Sequence, residues 1–393
     1  MKIAIIISGG GTSKQGITGI ALSRGELLSL KHNYDIDYFL ISSSYRKLSL
    51  KSFFYSNHIL SEKIIDNKKV KIITKIEYYT NIRGLRRLLK NYYSKKKYRL
   101  LDWEWHKTLS KYFKNYDAII AHFNDAAIIA DNVKQKYGIP YFVTWHGSDI
   151  HSRPFIDEFA ITKTISAIEN ANCNFFVSNS LLRESDKLTL KGEKVVIYNG
   201  INSCFYKYDN AKLEDLKSKY NPQNKKIVTF VGNFLPIKNA DLLPDIFLKI
   251  SKEYKDRIEF WIIGDGPLKI EIQHKIENYK LDCVLWGRKT PSEISDFLNL
   301  TDVFILPSKN EGLPLVILES LACGANAVGS NVGGIIELLG KDFCVDISET
   351  FVDDFADKVV SVLETPITQP YPGNCTWTKI VQKEYEIYKK VLE

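Results

Sequence analysis

Thr301-Asp302-Val303-Phe304-Ile305-Leu306-Pro307-Ser308-Lys309-Asn310-Glu311-Gly312-Leu313-Pro314-Leu315-Val316-Ile317-Leu318-Glu319-Ser320 holds the strongest local signal in the chain. Four apolar residues, Val303 to Leu306, read as a buried strand. A loop with a carboxylate and a glycine follows, a helix starts at Pro314, and a second carboxylate, Glu319, stands on that helix. Proline suits a first helical turn because its missing N–H would have no intrahelical partner there. The free amides and positive dipole end of such a helix form a site for a diphosphate. Glu311 and Glu319 can accept hydrogen bonds from hydroxyls on either side of it. Two plainer readings stand beside this one: a glutamate near a helix start complements the dipole, and a mid-helix glutamate faces water.

Working outward, the same strand-then-helix grammar recurs along the chain. Lys2 to Ser8 is a nearly continuous apolar run ending in Gly9-Gly10-Gly11, as expected of a buried parallel strand that stops at a tight loop. Further strands are predicted over Asp37 to Ile41, Val70 to Thr74, Ala118 to Ala121, Tyr141 to Trp145, Asn174 to Val177 and Lys194 to Tyr198. A charged stretch from Tyr206 to Lys226 separates these from a second series: Ile227 to Val231, Ile258 to Ile263, Val284 to Trp286, Val303 to Leu306 and Ala325 to Val328. Helical segments alternate with most of them, which implies βαβ units and mostly parallel sheets. The expected fold is α/β, with two doubly wound Rossmann-like domains over residues 1–205 and 206–375. Trp377, Val381, Tyr385, Tyr388 and Leu392 recur three or four residues apart, so an amphipathic helix over 376–393 closes the chain.

The composition excludes several classes. At 393 residues, 45% hydrophobic and 25% charged, with a mean hydropathy of −0.17, the chain is globular rather than disordered or membrane-embedded. No signal-peptide core follows the Met-Lys start, and no apolar run reaches the roughly 20 residues of a spanning helix, so a cytoplasmic location is expected. The six cysteines are scattered without a CxxC pair, against zinc and against a disulfide framework. The net charge of +8 is concentrated from Arg83 to Lys114, where lysines and arginines, Lys95, Lys96 and Lys97 among them, interleave with tyrosine, tryptophan and phenylalanine. That mixture suits an anionic membrane surface or a polyanionic acceptor, and equally a solvated helix pair with aromatic undersides. Nucleic acid is not an expected partner.

Other strand ends carry further candidates. Gly10 and Gly11 allow close backbone approach to a phosphate. The spacing is not GxGxxG, and Asp35 and Asp37 lie at the start of the second strand instead of its end, which counts against a dinucleotide fold. Lys238, in the loop after Ile227 to Val231, brings a fixed cation to the end of the sheet where α/β ligands bind. Gly264-Asp265-Gly266-Pro267 is a turn at another strand end. In the first half, His146 in Thr144-Trp145-His146-Gly147-Ser148-Asp149 can bond a sugar hydroxyl or a phosphate, and His122 ends a neighbouring strand. Ligands spread over loops, as His122, His146, Asp149 and His151 are, suit hydrogen bonding better than a metal.

The ordered set resembles the large GT-B family of retaining glycosyltransferases known as glycosyltransferase family 4. It comprises Phe230-Val231-Gly232-Asn233 through Lys238, Ile263 to Pro267, Thr301 to Phe304, Glu311 to Glu319 and Ala322-Cys323-Gly324. By that resemblance Glu311 and Glu319 match the family's EX7E pair, Lys238 its diphosphate lysine and His146 the first-domain histidine beside the reacting carbon. The resemblance implies two domains facing a central cleft and a final helix that crosses back onto the first. It implies a nucleotide sugar, such as a UDP- or GDP-sugar, as co-substrate, with no metal and no other cofactor. The donor would be held by Gly10, Gly11, Asn233, Lys238, Gly266, Gly312, Leu313, Pro314, Leu315 and Glu319, with His146, Glu311 and Lys238 in catalysis and His122 on the acceptor side. The acceptor class implied is a glycan or lipid-linked oligosaccharide, as in surface polysaccharide or glycolipid synthesis; the basic stretch of residues 83–114, where it meets an anionic surface, would place the enzyme peripherally on the inner face of the membrane. One departure stands out: many members carry arginine after Val-Gly, and here Asn233 takes its place. Rival readings are a nucleotide-sugar epimerase or hydrolase of the same architecture, a NAD-dependent oxidoreductase, and a non-catalytic surface-binding protein.

Overall fold

The computed structural model describes residues 1–9, 16–47, 58–79, 107–365, 368–373 and 375–393. Gly10, Gly11 and most of the basic stretch, residues 83–106, lie outside them. The chain divides into two compact units, Met1–Tyr198 with Ile380–Glu393, and Asn199–Lys379.

The first unit is built on eight strands: β1 (Lys2–Ile7), β2 (Asp35–Lys47), β3 (His58–Ile65), β4 (Lys68–Tyr79), β5 (Ala118–His122), β6 (Tyr141–Trp145), β7 (Cys173–Phe176) and β8 (Lys194–Val196). Their order across the sheet is β3-β4-β2-β1-β5-β6-β7-β8. The chain runs outward from β1 to one side through β2 and to the other through β5, so the topological switch lies between β1 and β5. Ile3 to Ile7 and all of β5, β6 and β7 are buried, as continuous apolar runs require when helices cover both faces. The helix Trp377–Leu392 belongs to this unit over most of its length. Its Tyr388 packs edge-on against Phe142 and Phe175, at centroid distances of 4.6 and 5.6 Å.

The second unit carries β9 (Lys226–Val231), β10 (Ile258–Ile263), β11 (Cys283–Gly287), β12 (Val303–Leu306), β13 (Asn326–Ser330) and β14 (Cys344–Val345). They form one sheet in the order β11-β10-β9-β12-β13-β14, with every pairing parallel. Here the switch falls between β9 and β12.

Two strands were not expected from sequence. β3 pairs antiparallel with β4 through Asp66-Asn67, whose φ values of 51° and 60° are those of a tight primed hairpin turn. Its Ile59, Leu60 and Ile64 are exposed, so the strand lacks the buried run that marks the others. β14 is a two-residue edge on β13. β2 and β4 also extend beyond the predicted cores, because they pair in register from Tyr38↔Val70 to Lys47↔Tyr79. There the backbone ladder, rather than apolar content, sustains a polar sequence. Asp37, just inside β2, accepts from Tyr116 and ion-pairs with Lys71 at 3.0 Å, so the Asp35-Ile36-Asp37 triplet is strand framework.

Candidate functional site

In the second unit the loops after β9 and β12 flank the switch, and three contacts stitch them together. The Lys309 amide donates to the Ile237 carbonyl at 2.8 Å. Asn239, in the left-handed region at φ 49°, donates its side-chain amide to the Pro307 carbonyl at 2.9 Å. The Lys238 ammonium is ion-paired with Glu311 Oε1. Ser308 Oγ, fully buried, donates to the same oxygen at 2.7 Å. Lys238 keeps 24% of its side chain exposed and Glu311 only 11%, so both reach solvent from a recessed position.

The Glu311-Gly312 backbone rests on Gly333-Gly334, which open the helix Gly333–Leu339 after β13. The Gly334 amide donates to the Glu311 carbonyl at 3.0 Å. A Cβ on Gly333, at φ +48°, would stand 2.0 Å from that carbonyl oxygen. Gly333→Ala should therefore displace Glu311 and destabilise the unit by about 1–3 kcal/mol or more. Gly340→Ala is the control: φ is +77° there, but a Cβ would meet no atom within 4 Å. Comparable melting temperatures and donor affinities for the two variants would show that the close approach does not matter.

Pro314 is not the first helical residue but the extended residue capping the helix Leu315–Cys323. Leu313 and Pro314 are buried, Gly312 and Leu315 half-buried; the Ile317 amide donates to the Pro314 carbonyl at 3.1 Å, while the Leu315 and Val316 amides come before the first intrahelical acceptor. Glu319, one turn further on, is half-buried, and burial pushes its carboxyl up to about 7. Burial also raises the Cys204 and Cys323 thiols, with Glu319 adding to both shifts. Asn233 is exposed. Gly266 lies under the Phe234 backbone, where a Cβ would meet the Phe234 nitrogen and oxygen at 2.7 Å.

The first unit holds a separate cluster at its own switch point. The Ser8 amide donates to the His122 carbonyl at 3.1 Å, and Gly9, at φ +69°, lies against the Phe123 ring. His122 Nδ1 and His146 Nε2 are 3.1 Å apart and share a hydrogen bond. His122 is buried, and among the described residues its Nε2 has no hydrogen-bond partner. Burial, then the Arg24 charge, lowers the His146 imidazole to about 3. The same two causes, followed by His146, hold His122 well below its ordinary value, so both rings are neutral near pH 7. Buried Asp149 accepts from the His146 amide at 2.9 Å and the Gly147 amide at 2.6 Å. Burial raises its carboxyl to about 6 against the pull of those amides.

The pairings Lys238–Glu311 and His122–His146 thus join residues singled out from sequence. Ser308, Asn239, Gly333 and Gly334 were not singled out. The Gly333-Gly334 pair just past a strand was a signal available for them. Among the described residues no group of three His, Cys, Asp or Glu side chains is placed to hold a metal ion, and no helix is long and apolar enough to cross a membrane.

Comparison with known proteins gives two family matches on different parts of the chain: Glycosyltransferase Family 4 over residues 69–203 and Glycosyl transferases group 1 over residues 212–374. N-acetyl-alpha-D-glucosaminyl L-malate synthase of Bacillus anthracis is 29% identical over 64% of this chain and 66% of its own length, slightly under two thirds of that relative. An Escherichia coli UDP-Gal:alpha-D-GlcNAc-diphosphoundecaprenol alpha-1,3-galactosyltransferase is 28% identical over 73% of this chain and 75% of its own. Among solved structures, Anabaena HepE in complex with UDP and glucose superposes with a TM-score of 0.68 over 98% of this chain and 99% of that one. At 15% identity that likeness speaks for the fold.

Proposed function

The chain belongs to the group 1 glycosyl transferases of glycosyltransferase family 4, and from that premise we propose that it transfers a sugar, with retention, from a nucleotide-diphosphate sugar to a glycan or lipid-linked acceptor. The observation that carries the reading is the Lys238–Glu311 pair set between the two loops that flank the β9/β12 switch, the place where open α/β sheets bind ligands.

Each group has work that suits its chemistry. The diphosphate takes the first-turn amides of Leu315–Cys323 and the Lys238 ammonium, which together stabilise the charge that develops as the leaving group departs. Glu311, steadied by Ser308, accepts from hydroxyls of the donor sugar, and Glu319 from the ribose. His146, being neutral, serves as a hydrogen-bonding partner of a sugar hydroxyl rather than as a second cation, and His122 fixes its ring. Asn233 adds no charge, so Lys238 is the side-chain cation assigned to the diphosphate. The donor class implied is a UDP- or GDP-sugar, and HepE with its bound UDP supports the former. A lipid-linked acceptor is supported by the diphosphoundecaprenol-directed relative, although the malate-directed one shows that acceptors vary within this group.

Calorimetric titration of the protein with UDP, GDP, ADP and NADH tests the reading. Binding of one nucleoside diphosphate is expected. Binding of NADH alone, or of none, would overturn the donor-site assignment. The anomeric configuration of the product, read by NMR, tests retention.

A further inference from the structure

Arg24 lies on the helix Gly16–His32, and only 2% of it is exposed. Its Nη1 donates to Thr144 Oγ1 at 2.8 Å, and its Nη2 stands 3.2 Å from Glu384 Oε1 on the closing helix Trp377–Leu392. Glu384 is completely buried, with its other carboxylate oxygen 3.5 Å from Tyr388 Oη. Thr144 is the register partner of His122 across β5 and β6 and stands two residues before His146. A single guanidinium thus ties together the helix that follows the first glycine loop, the strand end that carries His146, and the last helix of the chain.

A buried ion pair contributes little net stability against an apolar pair of the same size, because desolvation offsets attraction. Packing alone does not call for one beneath two hydrogen-bonded imidazoles. We propose that Arg24 is a positioning residue for His146: clamped by Glu384, it fixes the end of β6 and holds the His122–His146 pair in one hydrogen-bonded arrangement. The closing helix is thereby part of the apparatus that presents His146. The electrostatics agree, since the Arg24 charge disfavours the protonated form of both rings. Among the described residues, the other charged groups near the pair and Arg24 are Asp149, engaged by the His146 and Gly147 amides, and Glu384, ion-paired with Arg24. The inference rests on the assignment of His146 to the sugar made above.

The test pairs turnover with a readout independent of it, the 15N signals of the His122 and His146 side chains followed against pH in the full chain. In Arg24→Gln, which keeps a donor for Thr144 but removes the charge, the signals of both imidazoles should change and their titrations move upward, while staying below the ordinary histidine range because burial, the larger cause, remains. Turnover at saturating donor should fall about tenfold or more. Arg24→Lys, which keeps the charge, should retain the wild-type pH profile. The double variant Arg24→Leu/Glu384→Leu keeps the buried volume and should melt near the wild-type temperature, so loss of its turnover would not reflect unfolding. Imidazole signals in Arg24→Gln that match wild type would overturn the inference. Altered signals with unchanged turnover would uphold the positioning role and overturn instead the assignment of His146 to the sugar.

Discussion

Lys238→Ala should lower kcat/KM for the donor by about tenfold to a thousandfold, the range for losing a charge-assisted contact to a leaving group. Two losses combine. The diphosphate loses its assigned side-chain cation, and Glu311, 11% exposed, keeps Ser308 as its side-chain donor among the described residues. A recessed carboxylate stripped of its partner is costly, so the substitution should also loosen the Pro307 to Gly312 loop. Glu311→Gln separates these effects, because the amide still accepts from both Ser308 and Lys238. If Lys238 acts on the departing charge, its removal should depress kcat and not only raise KM. Glu311→Gln should act mainly through contacts to the sugar and leave affinity for the free nucleoside diphosphate within about threefold of wild type. Equal affinity of wild type and Lys238→Ala for that nucleotide, with wild-type turnover, would remove Lys238 from the site.

Much of this site could be read from the sequence because its parts are strand ends, and strand ends are marked by apolar runs that stop at glycine or proline. β9 and β12 announce themselves in this way, and with them the loops that bear Lys238 and Glu311. What could not be read depends on the order of strands across the sheet. Nothing local to Asn239 indicates that its side chain caps Pro307, 68 positions away. Nothing local to Arg24 indicates that it faces Glu384 near the other end of the chain. Polar strands were the second blind spot. β2 continues through Ser42-Ser43-Ser44 because β4 lies in register beside it, and period and propensity do not detect a partner. The hairpin turn at Asp66-Asn67 was legible in principle, but its strand β3 carries exposed apolar residues and lacks the buried run that marked the others.

Glu319 should make donor affinity depend on pH in a direction its surroundings fix. Burial raises its carboxyl to about 7 from an ordinary 4.5, so at pH 6 most of it is protonated and at pH 8 most is ionised. The ionised form offers both oxygens as charged acceptors to the two ribose hydroxyls, whereas the protonated form turns one oxygen into a donor and accepts more weakly through the other. Affinity should therefore rise between about pH 6 and pH 8, approaching tenfold per unit on the acid side. The titrant must be an intact nucleotide sugar, since the terminal phosphate of a free nucleoside diphosphate titrates in the same range. Binding below pH 7 should release a proton, measurable as a difference in calorimetric heat between buffers of unlike ionisation enthalpy. Stability should run the other way. With the folded pKa above the unfolded one, the folded state binds more protons between about pH 4.5 and 7, so stability falls as pH rises through that window and levels off above it. The loss is at most about 3 kcal/mol, less where solvent reaches the carboxylate. Glu319→Gln removes the titration and should melt higher than wild type at pH 8 while binding donor more weakly, the exchange expected where a buried charge is kept for function. A pH-independent wild-type affinity, or a Glu319→Gln variant that binds as well as wild type at pH 8, would separate this carboxylate from the ribose.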